Sequence, residues 1–372
     1  MPIFLIPIGL VLLFLLEKTI YKRYWNRDLK VKIKFQSQPV VEGNMATLTE
    51  EITNRNFLPL HILQARFQTN NGLNFVDASN MTVSDRTTIN DVFSIGFYEK
   101  LTRNLNIRCD KRGYYTILAT SLTAADLFSN SNYYMELPQH TSMYVYPKFL
   151  KGDYETVVYK QLMGDIVTKR SLYEDHFTFR GIREYTMHDP MSDVNWKASA
   201  RTGSLKVNLH DQTSGRQVLI LLNLDEPAIL YETELMEDCI RLAATIASDL
   251  INEHIPVGFI SNGLDRVTDQ RIEVEEGASR GHLNTILQSL ARIELSKERT
   301  SFYDIVEKEI YKKNDKVTYI VISTSQRKES AEVVERLAEE AGKIMWLLPL
   351  TKSMEVKLKE YSNIDFIRIV HE

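Results

Sequence analysis

Residues 218–224, Val-Leu-Ile-Leu-Leu-Asn-Leu, form a nearly continuous apolar stretch in the second half of a 372-residue chain. Uncharged stretches of this length are typical of strands that are buried on both faces of a sheet. Segments with helical periodicity separate it from three similar stretches, at 257–260, 317–323 and 344–348. The alternation predicts a doubly wound domain over residues 217–372, with its sites beyond the carboxyl ends of the strands.

The segments between these strands carry apolar side chains at intervals of three and four residues. Leu235, Cys239 and Leu242, for example, share one stripe, which indicates a helix packed on a core. The predicted helices cover residues 232–252, 281–293, 302–312, 328–341 and 353–360, and a last strand covers 365–370.

Residues 181–205, GIREYTMHDPMSDVNWKASARTGSL, combine clustered charges with large aromatic side chains. Neither a solvated loop nor a core needs both, so the mixture predicts either a closed polar network or a binding surface. A small anionic ligand is a third alternative, because arginine binds carboxylates and phosphates through paired hydrogen bonds. The candidate residues are Arg183, Glu184, Tyr185, Asp193, Trp196, Lys197, Ser199 and Arg201.

From residue 29 to about residue 147, apolar and polar side chains alternate. Residues 31–35 (Val-Lys-Ile-Lys-Phe) and 105–109 (Leu-Asn-Ile-Arg-Cys) show the pattern, and turn-forming residues separate such runs. Short alternating runs predict an antiparallel, immunoglobulin-like β-sandwich over residues 29–148. Because no pairing of a nucleophile with a base stands out there, we expect this domain to bind or to act as a spacer.

Residues 1–16, MPIFLIPIGLVLLFLL, carry no charged side chain, whereas basic residues are frequent just after them. This arrangement predicts a single membrane-spanning helix over residues 1–21, with the rest of the chain in the cytoplasm. The expected localisation is therefore the cell membrane. The alternative is a buried N-terminal helix of a soluble domain, which the absence of a polar face disfavours.

Composition argues against several classes of function. The formal net charge of −4 gives no overall attraction to nucleic acid. The chain has two cysteines, Cys109 and Cys239, so neither a disulfide framework nor a structural zinc site is expected. Neither GxGxxG nor GxxxxGK followed by serine or threonine occurs, which disfavours dinucleotide-binding and P-loop enzymes.

Two places remain where chemistry could occur. Asp225 follows the first apolar strand, where a carboxylate could hold magnesium, although a solvated loop beside Glu226 is the preferred interpretation. His188 next to Asp189 could form a base and its orienting partner, but no serine or cysteine nearby is placed as a nucleophile. A metal-dependent module and a hydrolase are therefore the alternatives to a metal-free binding protein.

Residues 181–185 (GIREY), 193–203 (DVNWKASARTG) and 221–225 (LLNLD) match, in order, a hallmark of the form GxREYxxxD, DWKASARTG and LLLD. Through them the chain resembles the bacterial family called domain of unknown function fifty-eight, and the resemblance extends over nearly the whole chain. It implies a von Willebrand factor A-like domain at the C-terminus. It also implies an adaptor or assembly factor that works with MoxR-type AAA+ ATPases and transglutaminase-like membrane proteins.

The chain departs from the pattern of that resemblance at several positions. Pro227 and Ile229 stand where metal-binding von Willebrand A domains have the serines of DxSxS, and Thr324 or Ser325 stands where a later aspartate is expected. The lost oxygen ligands predict a metal-free version. Asn195 precedes the tryptophan where the family usually has aspartate, and one membrane helix is predicted where the family usually has two.

The predicted fold class is therefore α/β plus all-β. It consists of a membrane helix (1–21), an antiparallel β-sandwich (29–148), the signature region (150–216) and a doubly wound von Willebrand factor A-like domain (217–372). The predicted function is a membrane-anchored cytoplasmic adaptor, without enzymatic activity, cofactor or metal. Its expected partners are a MoxR-type AAA+ ATPase, a transglutaminase-like membrane protein and the membrane, but not nucleic acid.

Overall fold

The computed structural model describes residues 5–36, 39–76, 80–150, 164, 179–185, 194–210, 217–225, 233–295, 299–314, 316–352, 354–356, 358 and 363–370. The chain divides into two compact units. Unit 1 comprises residues 1–148 together with 287–293, and unit 2 comprises residues 149–286 and 294–372.

Two β-sheets form the body of unit 1. Their strands are β1 (Leu29–Phe35), β2 (Val40–Val41), β3 (Met45–Asn54), β4 (Leu60–Asn70), β5 (Leu73–Phe75), β6 (Met81–Val83), β7 (Arg86–Ile95), β8 (Lys100–Cys109), β9 (Gly113–Ala125) and β10 (Asn132–Tyr146). One sheet has the order β1-β3-β8-β5 and the other the order β2-β10-β9-β4-β7-β6. Strands β2 and β10 run parallel, and the other neighbours run antiparallel.

The alternating sequence places one face of each strand in the core. In β1 the side chains of Leu29, Val31, Ile33 and Phe35 are buried, whereas the lysines between them are exposed. Successive side chains of a strand point to opposite faces, so this period of two gives each sheet one apolar and one polar face. The apolar faces of the two sheets contribute to one continuous core cluster.

Helix α1 (Leu5–Tyr24) precedes β1, and its C-terminal end packs in the core of unit 1. Tyr21 and Trp25 are each 4% exposed. The Tyr21 hydroxyl donates a hydrogen bond to the carbonyl oxygen of Pro59 at 2.8 Å. Among the residues that the structure describes, no helix has both the length and the apolar character that crossing a membrane requires.

A group of buried charges lies in the core of unit 1. Glu50 on β3 and Asp91 on β7 are 1% and 3% exposed and belong to different sheets. The two carboxyl groups share a hydrogen bond. Arg103 on β8 pairs with Asp91 at 2.6 Å between Nη1 and Oδ1. Burial raises the pKa of Glu50 to about 7, with a further increase from the charge of Asp91 and an opposing effect of Arg103.

The second half of the chain combines strands with helices. Its strands are β11 (Phe179–Glu184), β12 (Lys206–His210), β13 (Gln217–Asn223), β14 (Val257–Asp265), β15 (Arg271–Gly277), β16 (Ile293–Glu294), β17 (Val317–Ser323), β18 (Ile344–Leu350) and β19 (Ile364–Val370). Its helices are α2 (Trp196–Thr202), α3 (Thr233–Asn252), α4 (Arg280–Arg292), α5 (Phe302–Lys312) and α6 (Lys328–Ala341).

The main sheet of unit 2 has the strand order β15-β14-β13-β17-β18-β19. The pairs β13–β14, β13–β17, β17–β18 and β18–β19 are parallel, and β15 joins β14 antiparallel at one edge. Helix α3 packs on β13, β17 and β18, and α5 packs on α6. Because β14 and β17 lie on opposite sides of β13, the polar ends of these three strands come together.

The predicted fold class is wrong as stated. Strands hold 46% of the described residues, so the protein is mostly β rather than evenly mixed. The main sheet of unit 2 is mixed, because β15 is antiparallel, and no described helix qualifies as the predicted membrane-spanning helix. The localisation at the cell membrane, which depended on that helix, stays a prediction.

Strand β15 was not predicted, and the reason is physical. Its residues, Arg-Ile-Glu-Val-Glu-Glu-Gly, mix charges with apolar side chains instead of forming a continuous apolar run. A continuous apolar run is typical of a strand that is covered on both faces, whereas an edge strand can leave one face in solvent. The reliance on apolar runs therefore found the central strands and passed over this edge.

Candidate functional site

The signature segment, residues 179–185 with 194–210, contains two strands and a short helix. Strands β11 and β12 pair antiparallel, and the Tyr185 N–H donates to the carbonyl oxygen of Leu205 at 2.9 Å. Val194 forms a β-bridge with Val207, and both side chains are buried. Strand β12 is therefore held by partners along both of its edges.

Helix α2 is held against β12 through Asn195 and Ser199, and the Asn195 N–H donates to the Lys206 carbonyl oxygen at 2.8 Å. The Asn195 side chain accepts a hydrogen bond from the Ala198 N–H at 2.9 Å, as an N-cap residue does. The Ser199 hydroxyl donates to the Asn195 carbonyl oxygen and accepts the Lys206 N–H, both at 2.8 Å. Gly203 ends the helix with a φ of 72°, in the left-handed region that favours glycine. Ser199, a predicted site residue, therefore has a positioning role here.

The other predicted signature residues lie mostly on the surface. Trp196 is 63% exposed. Arg183, Lys197 and Arg201 are exposed, and Tyr185 is half-buried. An Arg183 guanidinium N–H donates to the Glu184 carbonyl oxygen at 3.0 Å. Asp193 lies outside the described residues.

The ion pair that the structure shows in this segment joins Lys206 to Glu184, with 3.0 Å between Nζ and Oε1. Lys197 and Arg201 are four residues apart and so lie on the same side of α2. Neither has an ion pair within the described ranges. Like charges at this spacing destabilise an isolated helix by about 0.2–0.5 kcal/mol. Their placement gives this side of α2 a concentrated positive charge.

A second polar group lies where three parallel strands end. The Asp225 N–H donates to the side-chain oxygen of Asn223 at 2.9 Å, and the Ser325 N–H donates to the hydroxyl of Ser323 at 3.0 Å. The backbone after Ser261 is held in the same way, because the Gly263 N–H donates to the Ser261 hydroxyl at 3.1 Å. In each strand a short polar side chain thus caps the backbone two residues later. Strands β13 and β17 end at this point, whereas β14 continues to Asp265 after its pairing with β13 stops at Ser261.

Asn262 connects the end of β13 to β14, directly after the last residue of β14 that pairs with β13. Its side-chain oxygen accepts the Leu224 N–H at 2.8 Å, and its amide nitrogen donates to Asp225 Oδ1 at 2.8 Å and to Asn223 Oδ1 at 3.2 Å. The sequence analysis named Asp225 but missed Asn223 and Asn262. The available signal was that the apolar runs end in asparagine or serine, which favour turns.

These strand ends do not fit a magnesium site. Magnesium requires several oxygen ligands in a near-octahedral arrangement. Here, N–H donors already occupy Oδ1 of Asp225 and Oδ1 of Asn223. The described residues also contain no group of three or more His, Cys, Asp or Glu side chains that could hold a metal. Pro227 and Ile229, where the sequence departs from the metal-binding pattern, lie outside the described residues.

The described residues give no support to a hydrolase. His188 and Asp189, the proposed base and its partner, lie outside them. Cys109 and Cys239 are buried. Burial raises the pKa of the Cys109 thiol to about 11 and also raises that of Cys239, with smaller increases from Asp110 and Asp238. Thiols that keep their proton at neutral pH are poor nucleophiles.

Comparison with known proteins leaves the family of the chain open. No protein-family profile and no curated protein matches the chain. A non-cellulosomal cohesin from the hyperthermophilic archaeon Archaeoglobus fulgidus is 13% identical, with a TM-score of 0.21, over 31% of this chain and 91% of that chain. The CARDB domain of a Pyrococcus furiosus protein is 13% identical, with a TM-score of 0.20, over 31% of this chain and 90% of that chain. Likenesses this weak carry no conclusion about fold or function, so the resemblance to domain of unknown function fifty-eight stays a prediction.

Proposed function

We propose that this protein is an adaptor without enzymatic activity, which docks an acidic surface of a partner protein through helix α2. The observation that carries the proposal is the 63% exposure of Trp196 on a helix whose charged residues are all basic. Tryptophan and arginine are the residues most enriched among the energetic centres of protein interfaces.

The charge of this surface supports an acidic partner. Residues 194–206 contain Lys197, Arg201 and Lys206 and no acidic residue. Lys206 is paired with Glu184, whereas no ion pair to Lys197 or Arg201 of α2 is found within the described residues. Arginine binds carboxylates through two parallel hydrogen bonds, and cations beside an aromatic ring favour acidic and aromatic contacts.

The rigidity of the helix also supports docking. Helix α2 has only seven residues, and isolated helices of that length are unstable in water. The hydrogen bonds of Asn195 and Ser199 fix it to β12 before any partner arrives. A contact surface that is ordered in advance loses less conformational entropy on binding.

The partner class comes from the sequence resemblance. We propose a MoxR-type AAA+ ATPase as the protein that docks on α2, with a transglutaminase-like membrane protein as a further member of the assembly. A metal has no part in this proposal, because the strand ends around Asp225 offer too few open oxygen ligands.

The test is capture of the purified MoxR-type ATPase from the same organism by the immobilised full chain. Trp196→Ala alone, and Lys197→Glu with Arg201→Glu, should each weaken capture at least about tenfold, as expected for central interface residues. A matched control is Lys30→Glu with Lys34→Glu, which reverses two exposed lysines on β1 and should leave capture unchanged. Unchanged capture by both folded α2 variants, or equal loss in the control, would contradict the proposal.

A further inference from the structure

Unit 2 contains a groove that is separate from the signature segment and from the strand ends. It has a volume of about 420 Å³. Leu219 of β13 and Gly258 and Ile260 of β14 lie on one face of the sheet and contribute apolar surface to it. Glu309 and Lys312 of α5 line it as well.

Gly258 leaves room for the side chain of Leu219. A Cβ atom at this position would lie 2.9 Å from Cδ1 of Leu219, closer than real contacts allow. The absence of a side chain therefore lets Leu219 occupy the surface of the groove.

Acidic side chains dominate the charge of the groove. Its lining contains Glu273, Glu275, Glu276 and Glu309 against a single lysine, Lys312. Two of these acids are already paired in the described structure. Glu309 is 2.7 Å from Lys312, and Glu273 is 2.9 Å from Arg271.

Glu275 and Glu276 remain exposed, and no ion pair or hydrogen bond to either is found within the described residues. A β-bulge accounts for two adjacent exposed acids. Val257 of β14 pairs with Gly277, but Phe259 pairs with Val274, so β15 carries one extra residue between the two positions. Bulges of this kind redirect side chains and recur beside binding sites.

We propose that this groove binds a basic segment of a partner protein, in which a lysine or arginine lies beside apolar side chains. The cationic head is placed at Glu275 and Glu276, and the aliphatic stem lies along Leu219 and Ile260. The volume lies near the lower end of the range of small-ligand pockets, about 300–1,000 Å³, and so suits one or two side chains rather than a helix. Long basic side chains commonly bury their stems while the charge stays at the rim.

The charge complementarity selects the partner. The groove is acidic, whereas α2 is basic, so the two surfaces attract opposite charges and require different segments. An acidic edge strand is also a known means of preventing strand-to-strand aggregation. Preventing aggregation does not involve binding of a basic segment, so a peptide-binding experiment distinguishes the two roles.

Three heptapeptides are titrated separately into the full chain, and calorimetry measures the affinity of each. They are Gly-Leu-Lys-Leu-Lys-Leu-Gly, a version with glycine in place of leucine, and a version with glutamate in place of lysine. We expect the first to bind, and both replacements to weaken binding at least tenfold. Equal binding of the leucine and glycine versions, or of the lysine and glutamate versions, would overturn the proposal.

Two double variants with the same charge change test whether the peptide binds in the groove. Glu275→Lys with Glu276→Lys should weaken binding of the lysine–leucine peptide at least tenfold. Glu339→Lys with Glu340→Lys makes the same charge change on exposed residues of α6 outside the groove and should change binding less than twofold. Both double variants expose two surface lysines, so folding should persist and circular dichroism checks it. An equal effect of the two variants, or no effect of the first, would show that the groove is not the binding site.

Discussion

Glu50 is the residue whose chemistry departs most from its sequence context. In sequence it is one polar residue of an alternating strand, but in the structure it faces Asp91 across the core between two sheets. Taking a carboxyl group out of water disfavours its charged form, and a neighbouring carboxylate adds to that effect. The side chain therefore keeps its proton until the pH is close to neutral.

This arrangement predicts that the stability of unit 1 falls as the pH rises from about 4.5 to about 7. The folded chain binds a proton at Glu50 up to a pKa of about 7, whereas an unfolded glutamate releases it near pH 4.3. Between these values the folded state holds more protons, so the stabilisation is complete at low pH and is lost as the pH passes the folded pKa. The full change is roughly 4 kcal/mol.

The variant Glu50→Gln should remove this dependence, because glutamine keeps a similar size and can donate to Asp91 without titrating. The measurement is the free energy of unfolding, from denaturant titrations between pH 5 and pH 8. Glu51→Gln is the matched control, since Glu51 is half-buried and its bond to Lys100 lowers its pKa, out of this pH window. A slope in Glu50→Gln that equals the wild-type slope would show that another group is responsible.

Among the elements, α2 depends most on its ends. A helix of seven residues gains little from its own hydrogen bonds, so its caps and its contacts with β12 decide whether it forms. Asn195→Ala removes the acceptor for the Ala198 N–H and should destabilise the helix by about 1 kcal/mol. Faster hydrogen exchange of the amides of residues 197–202 is the expected signal, with partner capture weakened in proportion.

The family that the chain resembles usually has aspartate at the position of Asn195, which suggests a second substitution that should restore the cap. Asn195→Asp restores a side-chain oxygen at the cap position, so exchange should return to the wild-type rate. Ser204→Ala changes an exposed residue next to the helix and should have no effect. If Asn195→Ala exchanged at the wild-type rate, the cap would not be what holds α2.

Helix boundaries were predictable where the sequence carries a local signal, such as apolar spacing or a capping side chain. The helix predicted over 302–312 is found at Phe302–Lys312, where the Ser301 side chain caps its first turn. The helix predicted over 232–252 is found at Thr233–Asn252. Of the segment predicted as a helix over 353–360, residues 354–356 and 358 are described and none of them is helical, so the prediction is wrong for these residues. Apolar spacing and caps are local properties, so one sequence suffices to find them.

At the scale of the molecule, the contacts that define the candidate sites were not predictable from the sequence. Asn262 meets Asn223 across 39 residues, and Glu50 meets Asp91 across two sheets, because the strand order brings them together. The signature segment was found from its composition. Its sequence could not separate Ser199, which binds backbone, from Trp196, which faces solvent. That distinction depends on which side of α2 meets β12.

Asn262 is the residue through which this long-range order can be tested. Its side chain satisfies the buried Leu224 N–H and donates to Asp225, so Asn262→Ala leaves both groups without that partner. An unsatisfied buried polar group costs about 1–3 kcal/mol, and the amides of β13 and β14 should exchange faster by a corresponding factor. Asn363→Ala, at an exposed turn before β19, is the control and should leave exchange in β13 unchanged.

The same residue decides the question of a metal. If Asn262 occupies the position that a cation would need beside Asp225, adding magnesium or EDTA should shift neither the thermal midpoint of the wild-type chain nor its capture of the partner. A bound ion stabilises the folded state by mass action, so a midpoint that rises with magnesium and falls with EDTA would contradict a metal-free site. Loss of capture in EDTA with an unchanged midpoint would instead place a required metal at the contact with the partner. Either result would make Asp225, rather than α2, the first residue to mutate.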